Sequence, residues 1–380
     1  MMIRYASYFM AALLPLLLFR WFAPASIGEI DFWLLWLFAM VLVSLPVIYA
    51  EIALAYRSVE APLAGMQKLT READASPLWR SFGWLAAIVA IIIAALVISG
   101  ASSAILAALI DLNSAPNLPS FAVAGGLMVI ALLLSLLGVA PLPIGLGLMV
   151  VGLMMGLAGG LPQVEFAMTN ISLTEWARAV ALALVSVGAG TGLYWFGQHL
   201  VAKQTITAVE SGNLNAPSSN SPKVANVYRA TKLVLPIWIL QLVVGVVALL
   251  SSGLALPPIG QLLYWAGVLF VASYLLHYSA QQLAHKFGLL VSLLITLAVG
   301  LLLVIVVPTS WLVGLLVVIS SVAVLLLSVF AGWRMKISHL RKSLNFGNEA
   351  LYNLWRVAIR LVVPLALILA LIGWMILWLS

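Results

Sequence analysis

The residues that could do chemistry in this chain are few, and the densest group is the run SVGAGTGLY at positions 186–194. Three glycines within five positions weaken a helix and leave backbone amides and carbonyls free to bind a ligand. Inside an apolar segment such backbone is tolerated only where protein or a watery cavity satisfies it. We therefore predict a small-molecule site here; close packing of helices through small residues is the alternative. The predicted site residues are Ser186, Gly188, Gly190, Thr191 and Tyr194.

A second helix-breaking residue, Pro15, lies near the centre of the first apolar run and removes one helical hydrogen bond. Broken helices at matching positions in two halves of a chain are typical of a transporter's binding site. The run with Pro15 comes five apolar runs before the glycine run. We therefore predict that both helices are broken and that Pro15 contributes to the site.

Glu51 and Arg20 are ionisable residues within the first two apolar runs. Glu51 lies five residues before the end of its run, where a charge is costly. We expect Glu51 to face other helices and to pair with the freed amides of a broken helix; a proton carrier is the alternative. Arg20, near the other membrane surface, either guards an entrance or extends to the lipid headgroups.

Polar side chains also recur in the later runs. Ser273, His277 and Gln281 are spaced four apart, so we expect one polar stripe that faces a cavity or another polar helix. Gln241 is a further polar side chain deep in a run. His277 has no second ligand at metal-binding spacing in its run, and the chain has no cysteine. No phosphate-binding loop, nucleophile elbow or metalloprotease motif is present, so we predict no catalytic residue, metal or cofactor.

The composition shows which elements must position these residues. Hydrophobic residues make up 64% of the 380 and charged residues 8%, against about 45–50% and about 25% in soluble domains. This predicts an all-α polytopic membrane protein and excludes a soluble enzyme or a nucleic-acid binder. The net charge of +7 fits basic residues at loop ends.

Eleven apolar runs reach the length of about 20 residues that a membrane-spanning helix needs. They cover about 6–24, 32–56, 82–110, 119–139, 143–161, 176–198, 232–254, 259–284, 287–307, 310–332 and 356–379. With a cytoplasmic N-terminus, sixteen of the eighteen basic residues lie on that side, and Arg20 and Arg178 lie opposite. The positive-inside rule thus predicts eleven spans, N-in and C-out, in the inner (cytoplasmic) membrane.

The loops predict how the chain is divided. The polar stretch 199–231 is predicted to be a flexible cytoplasmic linker. The predicted parts are a first repeat at 1–161, the start of the second at 162–198, the linker, the rest of the second repeat at 232–332, and a cytoplasmic segment with helix 11 at 333–380. The stretches 58–80 and 333–355 either lie along the membrane surface or are solvated linkers.

Four stretches together carry a family resemblance. LFRWFAP at 18–24 is similar to the end of helix 1 in the neurotransmitter:sodium symporter family, and LPVIYAEIAL at 45–54 resembles its helix 2 motif. VSVGAG at 185–190, with Tyr194, resembles the unwound centre of helix 6. Residues 328–374 resemble the passage from helix 10 to helix 11. The resemblance spans nearly the whole chain and implies the leucine-transporter fold, a 5+5 inverted repeat plus helix 11, and a secondary transporter.

The chain departs from the family where ions and substrate bind. The family's asparagine- and glycine-rich run in helix 1 falls on MAALLPLL at 10–17. Sodium needs several oxygen ligands, and leucine supplies none. The helix 8 ligands have no good match at 266–271, and the helix 3 tyrosine of the substrate site is missing from 88–103. We therefore predict that the sodium sites are lost.

Two functional hypotheses follow. In the first, the protein transports a small apolar or amphipathic solute by alternating access, with proton coupling or none. In the second, it is a non-transporting pseudo-transporter that serves as a subunit or scaffold of a larger membrane complex. The predicted partners are membrane lipids and a small-molecule substrate, with a membrane protein partner under the second hypothesis and no nucleic acid.

Overall fold

The computed structural model describes residues 2–24, 26, 28–112, 118–160, 165–169, 171–200 and 230–379. Within these ranges there is no strand, and extended chain segments pair only at the bridge between Glu29 and Ala167. The helices are α1 Met2–Phe22, α2 Ile30–Ala39, α3 Leu45–Ser58, α4 Pro62–Glu72, α5 Ser81–Asp111, α6 Ser120–Ser135, α7 Pro141–Leu157, α8 Leu173–Ser186, α9 at 193–200, α10 Thr231–Ser252, α11 Pro258–Phe287, α12 Leu289–Val306, α13 Thr309–Val329, α14 Ile337–Leu344, α15 Glu349–Val357 and α16 Val363–Leu379.

Eight helical segments in the described part of the chain are long and apolar enough to cross a membrane. Two shorter apolar helices, α6 and α7, lie between them in sequence. Helices α8 and α9 are separated by a non-helical segment at 187–192. This confirms an all-helical, multi-pass membrane protein, whereas the count of eleven crossings stays a prediction. Most of the predicted linker, 201–229, lies outside the described residues.

Two long helical rods contain a π-helical turn just before a proline. Met40–Ser44 joins α2 to α3, which has Pro46 in its first turn. Ala358–Val362 joins α15 to α16, which has Pro364 in its first turn. Proline has no amide hydrogen and therefore fits where the hydrogen-bond ladder changes its spacing. The first rod thus continues from α2 into α3 and carries Glu51 in its second half.

Helix α1 is not broken, and the break predicted at Pro15 was wrong. The helix runs without interruption from Met2 to Phe22. A proline removes the hydrogen bond to the carbonyl four residues earlier, here Ala11, and its ring crowds that carbonyl, but a neighbouring helix can satisfy the oxygen. Helices α8 and α10 both pack against α1, and Leu14 and Leu17 on α1 are buried. Tertiary packing therefore keeps the helix whole.

Helix α11 lies along α5 and α7 and faces the interrupted segment. The α7 contact is close because it is made through glycine. A Cβ atom on Gly145 would lie 2.7 Å from the Gly267 carbonyl oxygen, and one on Gly152 would lie 2.6 Å from that of Gly260. This close contact fixes α11 so that its tyrosines turn toward α1 and the non-helical segment.

Candidate functional site

The site is built around the non-helical segment 187–192, which we call the break. Helix α8 starts with a capping box between Ser172 and Glu175 and ends at Ser186. Three glycines then adopt left-handed conformations, with φ of 67° at Gly188, 80° at Gly190 and 69° at Gly192. L-residues avoid this region, so the glycines are required for the chain to leave one helix and enter the next. The side chain of Ser186 lies outside what the structure describes.

The backbone groups freed by the break find partners within the protein. The Val187 carbonyl accepts hydrogen bonds from the Tyr194 hydroxyl and, at 3.3 Å, from Gln241 Nε2. The Thr191 carbonyl accepts one from the Tyr278 hydroxyl at 2.6 Å. Thr191 Oγ1 donates to the Gly188 carbonyl. Because the break is buried, each of these partners lowers the cost of leaving the helical ladder.

Glu51 lies beside the break with none of its surface exposed. Its Oε1 atom accepts a hydrogen bond from the Gly192 amide at 3.1 Å, which is one of the partners we expected for it. Its Oε2 atom has no hydrogen-bond partner among the described residues. One carboxylate oxygen therefore anchors the break, and the other is buried without a hydrogen-bond partner among the described residues.

Gln241 joins the two helices that were predicted to be broken. Its Nε2 atom donates to the Ala11 carbonyl at 3.4 Å and to the Val187 carbonyl, and it contacts the Tyr194 hydroxyl. The Ala11 carbonyl is the one that Pro15 leaves without a helical donor. Carbonyl oxygens from two helices are the ligands that a hard cation such as sodium takes. In this chain an amide N–H group lies where such oxygens converge.

Apolar side chains fill the space around the glycines. A Cβ atom on Gly188 would lie 2.9 Å from Leu14 Cδ1, and one on Gly190 would lie 3.1 Å from Val324 Cγ2. Thr191 and Tyr194 are 1% and 0% exposed. In this conformation Gly188, Gly190, Thr191 and Tyr194 are brought together but are packed by protein rather than open to solvent.

The polar stripe predicted on α11 does not form a single surface. Gln281 is exposed, and Ser273 donates to the Phe270 carbonyl of its own helix at 2.6 Å. His277 Nδ1 lies 2.9 Å from the carbonyl oxygen of Ser135 at the end of α6, and it must donate because that oxygen can only accept. The prediction that the stripe faces a cavity or another polar helix is therefore wrong for Gln281.

A different stripe on α11 faces the centre. The Tyr274 hydroxyl lies 2.6 Å from Ser7 Oγ on α1, Tyr278 bonds the break, and Gln282 Oε1 accepts from the Leu63 amide at 3.2 Å. These residues recur every four positions, as the predicted stripe does. Both stripes carry the same pattern, so only the packing of α11 decides which of them is internal. Sequence reasoning therefore missed Tyr274 and Tyr278.

Arg20 lies at a separate cavity of about 660 Å³ between α1, α7 and the α10–α11 connection. Its guanidinium carbon lies 4.7 Å from the centre of the Trp265 ring and 5.4 Å from that of Trp21. It forms no ion pair with another residue that the structure describes. Tyr264, which also lines the cavity, donates to the Leu16 carbonyl at 2.7 Å. The cavity thus has one cation, aromatic faces and hydroxyl groups.

The apolar helices, the glycine break and its buried partners define a multi-pass membrane protein with one interrupted helix in its interior. Among solved structures the chain is similar to MhsT in complex with L-phenylalanine, with a TM-score of 0.62 and 15% sequence identity over 97% of this chain and 98% of that chain. MhsT is a transporter of the neurotransmitter:sodium symporter family, so the predicted resemblance is confirmed as a shared fold. No family model and no curated protein matches the sequence.

Proposed function

We propose that this protein is a sodium-independent secondary transporter for a small apolar or amphipathic solute. The observation that carries the proposal is the position of Gln241, whose amide donates to carbonyls of both α1 and the break. An N–H group there makes the contacts that a cation would make and needs no ion. The transporter fold and the helix break are retained, whereas a cation-binding function at this point is not supported.

The proposed path starts at the cavity beside Arg20 and ends at the break. Its first part suits an amphipathic solute because leucine and aromatic side chains lie beside hydroxyl groups there. The proposed substrate contacts are the backbone of Ser186, Gly188 and Gly190, with Thr191 and Tyr194. Glu51 is the proposed proton carrier because one of its oxygens lacks a partner among the described residues. Pro15 contributes indirectly, since it frees the Ala11 carbonyl for Gln241.

The proposed topology has eleven crossings, a cytoplasmic N-terminus and a 5+5 inverted repeat, in the inner membrane. The repeats would be 1–161 and 162–332, with the linker 199–231 inside the second, and helix 11 follows the cytoplasmic segment that starts at 333. Support comes from helices within every predicted apolar run and from the shared fold. The charge asymmetry of the loops supports the orientation.

A second candidate function is that of a non-transporting subunit of a membrane complex. The packing of Leu14 against Gly188 favours it, because a side chain occupies space that a substrate would need. A transporter must open this packing during its cycle, whereas a scaffold keeps it closed. The two functions therefore differ in whether the break ever meets water.

The absence of cysteine from the chain allows a direct test. Ala189, which is 1% exposed in the break, is replaced by cysteine, and membrane vesicles are treated with a membrane-impermeant thiol reagent from either side. Alternating access predicts slow labelling from both sides. The matched controls are Ser251→Cys, in the cavity beside Arg20, and Glu60→Cys, in an exposed loop. Each is expected to react from one side only. If the Ala189→Cys variant is fully protected while both controls are labelled, the result favours the non-transporting subunit.

A further inference from the structure

A groove of about 400 Å³ lies where the end of α13 meets the α15–α16 rod, far along the chain from the break. It is lined by Trp333, Asn353, Arg356, Val357, Arg360 and Leu361. The π-helical turn Phe330–Arg334 forms one wall. The opposite wall is the π-helical turn Ala358–Val362 with the preceding turn of α15. Two irregular helix turns therefore face each other across a groove that contains two arginines.

Among the residues that the structure describes, no carboxylate lines the groove to balance these arginines. The acidic side chains of nearby helices already have partners: Glu349 pairs with Arg341 at 3.0 Å, and Glu72 pairs with Arg57 and lies 2.7 Å from His339 Nδ1. The Arg356 guanidinium forms no hydrogen bond or ion pair with another residue that the structure describes. Two adjacent cations without a counter-charge attract an anion.

Arg360 is held in place for such contact. Its Nε atom donates to the Gly332 carbonyl, and its guanidinium carbon lies 4.9 Å from the centre of the Trp333 ring. Gly332 is needed for this arrangement, since a Cβ atom there would lie 2.9 Å from Arg360 Cγ. With Nε engaged and the plane fixed by the indole, the two terminal nitrogens stay available for bidentate binding of an oxyanion.

The groove continues into an apolar surface. Val357, Leu361 and Trp333 on its walls are 51%, 52% and 56% exposed, and Leu365 one turn further along the rod is 60% exposed. In a membrane protein such a surface is covered by acyl chains. A phosphate site that opens onto an acyl-chain surface fits one class of ligand, an amphiphile with an anionic phosphate head.

We propose that this groove binds the headgroup of an anionic phospholipid, with Arg356 and Arg360 on its phosphate and an acyl chain along Leu361 and Leu365. Asn353 supplies an amide that can donate to the headgroup. The proposal rests on the groove alone and holds whether or not the protein transports a solute.

The test is native mass spectrometry of the full-length protein in neutral detergent, titrated separately with phosphatidylglycerol, phosphatidylcholine and glycerol 3-phosphate. We expect selective retention of phosphatidylglycerol. Since a basic residue near the surface contributes about 1 kcal/mol, the Arg356→Gln/Arg360→Gln variant should bind it about thirtyfold more weakly. An Arg71→Gln/Lys342→Gln variant removes the same charge from exposed positions elsewhere and should bind normally.

Equal losses in both double variants would overturn the site in favour of general surface attraction. Equal retention of phosphatidylcholine would show that the apolar surface alone binds lipid, and binding of glycerol 3-phosphate at the same strength would show a free-anion site instead. If loss of the Gly332 contact unfolds the double variant, Arg356→Gln alone decides. The Arg356 guanidinium makes no hydrogen bond within the described structure, so its replacement removes a charge without removing a structural contact. This variant should still bind phosphatidylglycerol several-fold more weakly. Unchanged binding would refute the proposal.

Discussion

Helix α1 and the α8–α9 pair both contain residues that weaken helices, but only the pair is interrupted. In α1 one proline removes one hydrogen bond, and the Gln241 amide satisfies the carbonyl that is left. In the break three glycines take left-handed conformations, and partners come from α3, α10 and α11. This difference shows that a helix in this bundle is interrupted only where several neighbours supply donors and acceptors for the freed backbone groups.

The largest loss of stability is expected from a residue that cannot adopt the left-handed backbone conformation of the break. We expect Gly192→Ala to cost about 2–5 kcal/mol, because the new methyl group adds backbone strain and crowding. Its Cβ atom would lie 2.7 Å from the Tyr278 hydroxyl oxygen at a residue with φ of +69°. Thermal unfolding of the purified protein measures the loss. Gly126→Ala in α6, where nothing lies within 4 Å of the added Cβ, is the control and should change little.

Replacing Gln241, whose amide bonds both α1 and the break, tests whether α1 depends on this residue for stability. We expect Gln241→Leu to cost about 1–3 kcal/mol, the usual penalty for a buried carbonyl left without a donor. The carbonyl concerned is that of Ala11, because Val187 keeps the Tyr194 hydroxyl. An unchanged unfolding midpoint would show that the Gln241 contacts contribute nothing.

Gln241 also allows a test of the proposed loss of sodium binding. The wild-type protein should unfold at the same temperature in sodium and in a large organic cation, because an amide N–H group already contacts the carbonyls. Gln241→Glu replaces that donor with a carboxylate among carbonyl oxygens, and we expect its unfolding temperature to rise in sodium. A clear sodium shift in the wild type would instead refute the loss of the sodium sites.

Sequence reasoning located the break correctly but not the state of α1. Glycines in a short run have a local effect that composition and spacing reveal, and the left-handed φ values follow from residue type. Whether Pro15 breaks its helix depends on a donor from a residue far later in the chain, Gln241, which no local pattern shows. The internal stripe of α11 was missed for the same reason: only the packing of α11 decides that Tyr274 meets Ser7 on α1 while Ser273 bonds a carbonyl of its own helix.

Two substitutions of Glu51 distinguish its role as hydrogen-bond acceptor for the break from its proposed role as proton carrier. We expect Glu51→Gln to change stability by about 1 kcal/mol, because the amide oxygen can still accept from Gly192 but carries no charge. Solute uptake by vesicles should lose its dependence on a proton gradient. Glu51→Leu, which removes the acceptor, is the comparison and should be distinctly less stable than Glu51→Gln. Proton-driven uptake by the glutamine variant would contradict the role of proton carrier.

The smallest expected effect links the proline to the amide. Pro15→Ala restores an N–H group that can donate to the Ala11 carbonyl within α1, so the helix no longer needs Gln241 for that oxygen. The double variant Pro15→Ala/Gln241→Leu should therefore lose about 0.5–1.5 kcal/mol less than the sum of the two single variants. A double-mutant cycle of unfolding free energies measures this coupling. Pro364→Ala, in the first turn of α16, supplies no donor to Ala11 and should combine additively with Gln241→Leu. Additive behaviour of Pro15→Ala as well would mean that the bond from Gln241 does not compensate for the proline, and that packing against α8 and α10 alone keeps α1 unbroken.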